Sequence, residues 1–180
     1  MAYNNCRTKE KSMMREKIEN RAMEILQQHG LFSLPIDPVK LANKEGIKVH
    51  NAAFSDESVS GMVARRGQNI TMLVNQSDPP YRKRFSIAHE LGHHFLHLTE
   101  DGEIVTKKID LFRVYIKPED EENEEKRRDV EANQFAAALL MPESLVKEIY
   151  KKTESLTEMA QLFNVSEEAM GIRLEVLRLI

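Results

Sequence analysis

The 180-residue chain has no tryptophan, only one cysteine and no long run of apolar residues. A helix that crosses a membrane needs about 20 consecutive apolar residues, so no membrane-spanning segment is expected. The polar start of the chain also lacks the apolar centre of a secretory signal peptide. A single cysteine forms no internal disulfide, which agrees with a reducing compartment, and we expect Cys6 to be inert. These absences predict a soluble, cytoplasmic protein.

Neither sign of charge dominates the sequence. The chain has 26 Lys and Arg residues against 29 Asp and Glu residues, and 41% of its residues are hydrophobic. That balance is typical of a folded globular protein and argues against general disorder. It provides no overall basic field for phosphate groups, so the composition disfavours a generic nucleic-acid binder.

The first half of the chain predicts a helix, a short second helix that is capped by Asp37 and ends at Gly46, and then a small sheet. Apolar residues within 14–26 recur at spacings of three and four, which is typical of a helix with one buried face. Residues 47–50 alternate like a strand, and two β-rich runs at 59–64 and 70–74 flank a turn that contains Gly67. We therefore predict a small antiparallel sheet and, with the helices described next, an α+β fold.

The second half of the chain predicts mainly helices. Two prolines after Asp78 end the sheet and begin a long helix. Residues 99–118 show only weak patterning and are predicted to be mostly loop. A second long helix begins near the acidic residues at 119–125, where acids suit the first helical turn, and it ends before Pro142.

The last segment predicts two short helices with the outline of a helix-turn-helix. Asn164 can adopt the left-handed conformation that closes the first helix, and Ser166 can cap the second. We therefore divide the chain into a main domain over residues 1–155 and a C-terminal helical appendage over residues 156–180.

The most informative string is His89-Glu90-Leu91-Gly92-His93, an H-E-x-x-H pattern inside a predicted helix. Residues four apart share one helix face, so the two imidazoles can bind one ion while the glutamate projects beside it. Zinc favours imidazole ligands, and a catalytic zinc site keeps one position for water. The ion would activate that water at neutral pH, and Glu90 would act as the general base.

A catalytic zinc site of this kind needs a third protein ligand from elsewhere. His94 lies about 100° around the helix from His93 and is expected to point away, while His97 lies one turn beyond the ion. Glu131 is the best remaining candidate, because it lies on the apolar face of the second long helix and a buried charge needs a partner. The alternative is that Glu131 pairs with an arginine such as Arg84.

Two strings in this order are specific enough to identify a family. The first is RFSIAHELGHH at 84–94, and the second is EANQFAAALLMP at 131–142. Together they resemble the ImmA/IrrE family of zinc metallo-endopeptidases over roughly residues 31–149. The resemblance implies that His89, His93 and Glu131 bind one Zn²⁺ ion and that Glu90 is the catalytic base. It also implies a minimal zincin-like core of a small sheet, the motif helix and a second ligand helix.

The same resemblance implies a function and a partner. Characterised members of the family cleave helix-turn-helix repressors, or act beside them, in stress responses, mobile elements and phage-like regions. We therefore expect an endopeptidase that cleaves such a repressor and relieves repression. The sequence specifies neither the cleavage position nor the oligomeric state.

Two other functions are open at this point. One is a zinc-binding regulatory module without turnover, although the intact base Glu90 argues against it. The other is DNA binding by the last two helices, but the second begins with Glu167 and Glu168, which would repel phosphates.

The same resemblance implies how the protein contacts its substrate. In thermolysin-like proteases an edge strand aligns an extended substrate, and we assign that role to the hairpin at 59–74. We assign docking of the repressor to the C-terminal helices, with Glu167, Glu168, Arg173 and Glu175 predicted to be exposed. Tyr81, Tyr115 and His94 are all candidates for the group that stabilises the oxyanion.

Overall fold

The computed structural model describes residues 2–56, 58–98, 102–107, 123–153 and 155–180, with side chains from residue 13 onward except at 106 and 107. Within these ranges the chain forms seven helices and four strands. They are α1 (Ala2–His29), α2 (Pro38–Lys44), β1 (Lys48–Ala52), β2 (Val59–Arg66), β3 (Asn69–Asn75), α3 (Pro80–Leu96), β4 (Gly102–Lys107), α4 (Glu124–Leu140), α5 (Glu143–Tyr150), α6 (Leu156–Phe163) and α7 (Glu167–Val176). The predicted α+β class is confirmed.

The predicted helices form where their caps and apolar stripes place them. In α1 the stripe is buried from Ile18 to Leu26, but Met14 is 45% exposed, so the buried face begins one turn later than predicted. Asp37 caps α2 by accepting from the backbone N–H groups of Val39 and Lys40. Local sequence therefore sets the helix boundaries well.

The sheet has the strand order β1-β3-β2-β4 and is mixed rather than purely antiparallel. The predicted hairpin of β2 and β3 is antiparallel, as expected. Strand β1 pairs in parallel with β3, because β3 inserts between β1 and β2. The prediction of an antiparallel sheet was therefore wrong for β1.

The fourth strand lies in a segment predicted to be loop. Residues 102–107 pair antiparallel with β2, and the register shifts between Val59 and Gly61. Among the described residues β4 is thus an edge strand, while β2 and β3 are both internal. Residues 108–118 of the predicted loop lie outside the described residues.

The core is a continuous cluster to which the sheet and helices on both sides of residue 155 contribute. Phe135 and Leu139 of α4 are fully buried in it, together with Phe163 of α6 and Met170 of α7. The division of the chain at residue 155 stays a prediction. None of the helices in the described ranges has the length and apolar character to span a bilayer.

The turn between the last two helices forms as predicted. Asn164 adopts the left-handed conformation with a φ of 53°, and the Ser166 side chain accepts from the backbone N–H of Ala169. The prediction that Arg173 is exposed was wrong. Arg173 is 2% exposed, because its guanidinium pairs with Glu19 of α1 and donates to the carbonyl of Met141.

Candidate metal centre

Two histidines of α3 and one aspartate of α4 converge below the sheet. His89, His93 and Asp129 are buried, and each provides a ligand atom that lies within 4.8 Å of the other two. Among the described residues this is the group of His, Cys, Asp and Glu side chains that could hold a metal ion. The chemistry of the set, two imidazoles and one carboxylate, fits a zinc site with three protein ligands.

The two imidazoles face each other through their Nε2 atoms, which are 2.9 Å apart. Their ring centroids are 4.6 Å apart at an interplanar angle of 78°. His89 Nδ1 lies 2.8 Å from Asn133 Oδ1, which only accepts, so Nδ1 carries the proton and donates. The lone pair of His89 is therefore on Nε2, on the side where the three ligand atoms converge. Such a bond to the distal nitrogen is the usual support of a metal-binding histidine.

Asp129 supplies the carboxylate of the group. Its Oδ1 atom lies 3.3 Å from His93 Nε2, and its side chain is 10% exposed while that of His93 is fully buried. Burial raises the pKa of the Asp129 carboxyl, although His89 and His97 act in the opposite direction. A divalent ion would compensate this buried negative charge.

Burial also keeps both histidines in the neutral form that binds metals. The pKa of His89 is lowered to about 3. Desolvation is the largest cause, and the neighbouring His93 also lowers the pKa. Desolvation likewise lowers the pKa of His93 to about 3, with His97 and Arg128 contributing. Neither imidazole therefore needs to lose a proton before it binds a cation at neutral pH.

A glycine lets the two ligand helices approach closely. A Cβ atom built on Gly92 would lie 2.9 Å from the Cα atom of Ala132, which is closer than real Cβ contacts come. Ala132 and Ala136 are fully buried on the facing side of α4. Small residues on both helices thus bring Asp129 and Asn133 to the histidines.

The structure does not bring Glu131 into this group. Glu131 lies two positions after Asp129, which is about 200° around the helix axis, so the two carboxylates point to different sides of α4. Its oxygens lie 3.7 Å from His97 Nε2 and 3.8 Å from Arg127 Nε. Glu131 was predicted as a ligand because it lies on an apolar face of α4. The face directed at the histidines is a different one, which carries Asp129, Ala132 and Asn133.

The sequence contains a pattern that places Asp129 on the small-residue face of α4. Asp129 and Asn133 are four residues apart, and alanines 132 and 136 share their face. Arg84, considered as a partner for Glu131, instead donates to the carbonyls of Ile36 at 2.7 Å and Asn164 at 3.1 Å.

Glu90 is fully buried between α3 and the sheet. A Cβ atom on Gly61 of β2 would lie 2.5 Å from Glu90 Oε1, so the carboxylate lies directly against the backbone of β2. Glu90 follows His89 directly on the helix that carries both histidines. Its role as a general base stays a prediction.

Of the three oxyanion candidates, neither Tyr81 nor His94 lies at the metal group. Tyr81 is 48% exposed in the first turn of α3, eight residues before His89, which is about 12 Å along the helix. His94 faces away, with Nε2 4.0 Å from Glu45 Oε2. Tyr115 lies outside the described residues, as does the side chain of Cys6.

A cleft of about 340 Å³ opens beside the metal group. It runs between β4 and the first turns of α4, and His93, Asp129, Ile104 and Val105 are among its lining residues. The hairpin at 59–74 was predicted to supply the substrate-aligning edge, but both of its strands are internal. The edge beside the metal group is β4.

A comparison with known protein families gives a match. The family model of peptidase M78, described as an IrrE N-terminal-like domain, matches residues 42–175. A search of curated proteins gives no match. The matched span includes the sheet, both ligand helices, α6 and nearly all of α7.

Proposed function

Because the chain belongs to the peptidase M78 family, we propose that its metal group holds one catalytic zinc ion and that it is a zinc metallo-endopeptidase. Family membership supports a peptidase that acts on a protein substrate. The convergence of His89, His93 and Asp129 beside the buried base Glu90 is the observation that carries the proposal. In this proposal Asp129 replaces Glu131 as the third ligand.

The reaction requires a Lewis acid, a base and an extended substrate. Zinc held by the imidazoles of His89 and His93 and the carboxylate of Asp129 would supply the Lewis acidity for hydrolysis of the peptide bond. Glu90 takes the proton of the attacking water on its carboxylate and later gives it to the leaving amine. Asn133 holds the tautomer of His89 that keeps Nε2 available.

The substrate is proposed to lie in the cleft between β4 and α4. As an edge strand, β4 has backbone N–H and C=O groups on its outer side that can pair with an extended peptide. Such pairing depends little on the side chains of the substrate. Selectivity would therefore come from docking elsewhere on the protein.

We propose that the substrate is a helix-turn-helix transcriptional repressor in the cytoplasm, cleaved in a stress response, a mobile element or a phage-like region. The resemblance to characterised ImmA/IrrE members supports this finer assignment. A DNA-binding role for α6 and α7 is disfavoured, since Glu167 and Glu168 are exposed at the start of α7.

The direct test is to incubate the zinc-loaded protein with the helix-turn-helix regulator encoded nearest to it. A single cut that a chelator abolishes and zinc restores is expected, with casein cut slowly or not at all. Rapid digestion of casein would indicate a broad degradative protease instead. No cleavage of any protein would leave the regulatory module without turnover as the better account.

The role of Glu90 is tested by the Glu90→Gln variant, which keeps the shape of the side chain but removes the base. We expect zinc content and fold to be retained and cleavage to fall by about 10²–10⁴-fold. An unchanged rate in a zinc-loaded variant would exclude Glu90 as the base.

A further inference from the structure

His97 ends α3 one turn after the second metal-group histidine, and its side chain is turned toward α4. The ring centroid of His97 is 5.4 Å from that of His93. Its Nε2 atom lies 3.2 Å from the backbone carbonyl oxygen of Arg128, the residue directly before Asp129. Because a carbonyl only accepts, the Nε2–H of His97 is the donor.

Together with the His93–Asp129 pair, this bond belongs to a series of contacts that join α3 to α4 around the metal group. His89 donates to Asn133 at one end, and Gly92 lies against Ala132 in the middle. His97 holds Arg128 at the other end. The contacts step forward along α3 and backward along α4, so the helices run antiparallel. The His93–Asp129 pair lies between the Gly92 and His97 contacts.

The His97 contact is the one of these nearest to the start of α4. The start of α4 is capped by Asn123, whose side chain accepts from the backbone N–H of Lys126. Glu131 lies 3.7 Å from the same His97 Nε2 and 3.8 Å from Arg127, so it flanks the contact with a negative charge. Glu131, which the sequence suggested as a ligand, thus lies beside this contact and outside the group of His89, His93 and Asp129.

We propose that His97 is a positioning residue for the metal group: its Nε2–H bond to the Arg128 carbonyl fixes the first turns of α4 so that Asp129 meets His89 and His93. The inference rests on the proposed zinc site. It assigns His97 no contact with the ion and no proton transfer. Its effect is to hold the third ligand in place before the ion binds.

The test uses a matched pair of histidines on the same helix. His97→Leu removes the donor, while His97→Gln keeps an N–H at a similar distance and serves as the conservative rescue. His94→Leu is the control, because the side chains of His94 and His97 are both 7% exposed but His94 faces Glu45 instead of α4.

Zinc affinity is measured by competition with a chromophoric chelator, and Co²⁺ spectra report the ligand geometry. We expect His97→Leu to bind zinc about 10–100-fold more weakly and to alter the Co²⁺ spectrum. His97→Gln and His94→Leu should remain within a few-fold of the wild type. If the apo form of His97→Leu melts well below the wild type, His97→Met takes its place in the same comparison.

Two results would overturn the inference. One is wild-type zinc affinity and Co²⁺ spectrum in His97→Leu, and the other is an equal loss in His94→Leu. If the wild type, His94→Leu and His97→Leu all bind zinc with the same affinity, only the positioning role of His97 fails. If the wild type itself binds no zinc, the proposed function fails first.

Discussion

At the scale of single residues, burial decides the charge state of the metal group. His89 and His93 are 1% and 0% exposed, and desolvation is the largest cause that lowers the pKa of each to about 3. An unfolded chain has histidines with a pKa near 6.5. Between about pH 3 and pH 6.5, these two histidines therefore bind fewer protons in the folded apo protein than in the unfolded chain.

This difference predicts how the stability of the apo protein depends on pH. Because the unfolded state binds more protons at these two histidines, their contribution to the free energy of unfolding is complete above about pH 6.5 and falls as the pH is lowered toward 3. Each histidine contributes a slope of at most about 1.4 kcal/mol per pH unit. Urea denaturation with a chelator present, between pH 7.5 and 4.5, measures this slope.

The His93→Asn variant isolates the contribution of one imidazole. The slope of its free energy of unfolding against pH should be shallower than that of the wild type, because the amide does not titrate. The difference should correspond to at most one bound proton. An identical slope in the two proteins would contradict the assignment of a buried, neutral His93.

At the scale of elements, the close contact of α3 and α4 decides whether the metal group forms. Gly92 is the residue that permits it, since a Cβ there would meet the backbone of Ala132 at 2.9 Å. Gly171 lies inside α7, and a Cβ there would meet nothing within 4 Å. The two glycines are a matched pair of helical positions, one at a tight interface and one at an open surface.

Alanine at these two glycines should have opposite effects. Gly92→Ala must push the helices apart, which is expected to destabilise the protein by about 1–3 kcal/mol and weaken zinc binding. Gly171→Ala should stabilise it by roughly 1 kcal/mol, because alanine favours the helix. Thermal unfolding and chelator competition on both variants provide the measurement, and equal effects at both positions would refute the role given to Gly92.

Local patterns predicted most elements because they are set by neighbours in sequence. The caps at Asp37 and Ser166 and the i, i+4 spacing of His89 and His93 needed no tertiary information. Strand β4 was missed since its apolar residues Ile104 and Val105 are adjacent and do not alternate with polar residues, and only pairing with β2 defines it. Choosing between Asp129 and Glu131 as the third member of the metal group required knowing which face of α4 is directed at α3. Packing of the two helices determines that face.

At the scale of the whole molecule, Arg173 joins three distant parts of the chain. Its guanidinium binds the Glu19 carboxylate of α1 with two nitrogens and donates through Nε to the carbonyl of Met141, which ends α4. Met159, Phe163 and Met170 bury their side chains in the common core. The C-terminal helices therefore support α4, and deleting them would not leave an intact control for docking.

Replacing Arg173 tests this support. Arg173→Leu leaves the Glu19 charge partly buried without its partner, so a loss of about 3–5 kcal/mol is expected in chemical denaturation. Lys147→Met breaks an exposed pair with Glu143 and should cost at most about 1 kcal/mol. A loss in Arg173→Leu as small as that of the control would contradict the joining role of Arg173.

Docking of the repressor is better tested by surface charges than by truncation. Glu168 and Glu175 are exposed on α7, and Glu16 and Glu24 are exposed on α1. Reversing the first pair to lysine should slow repressor cleavage at low substrate concentration, while reversing the second pair changes the net charge equally and should not. Equal rates for both variants in a cleavage time course would remove α7 from the docking surface.

The central claim is that His89, His93 and Asp129 hold the metal. Elemental analysis of purified Asp129→Ala beside Glu131→Ala tests it most directly, because both variants remove an acid from the same helix. The account predicts about one zinc per chain in the wild type and in Glu131→Ala, and loss of zinc in Asp129→Ala. Full zinc in Asp129→Ala together with loss in Glu131→Ala would contradict it.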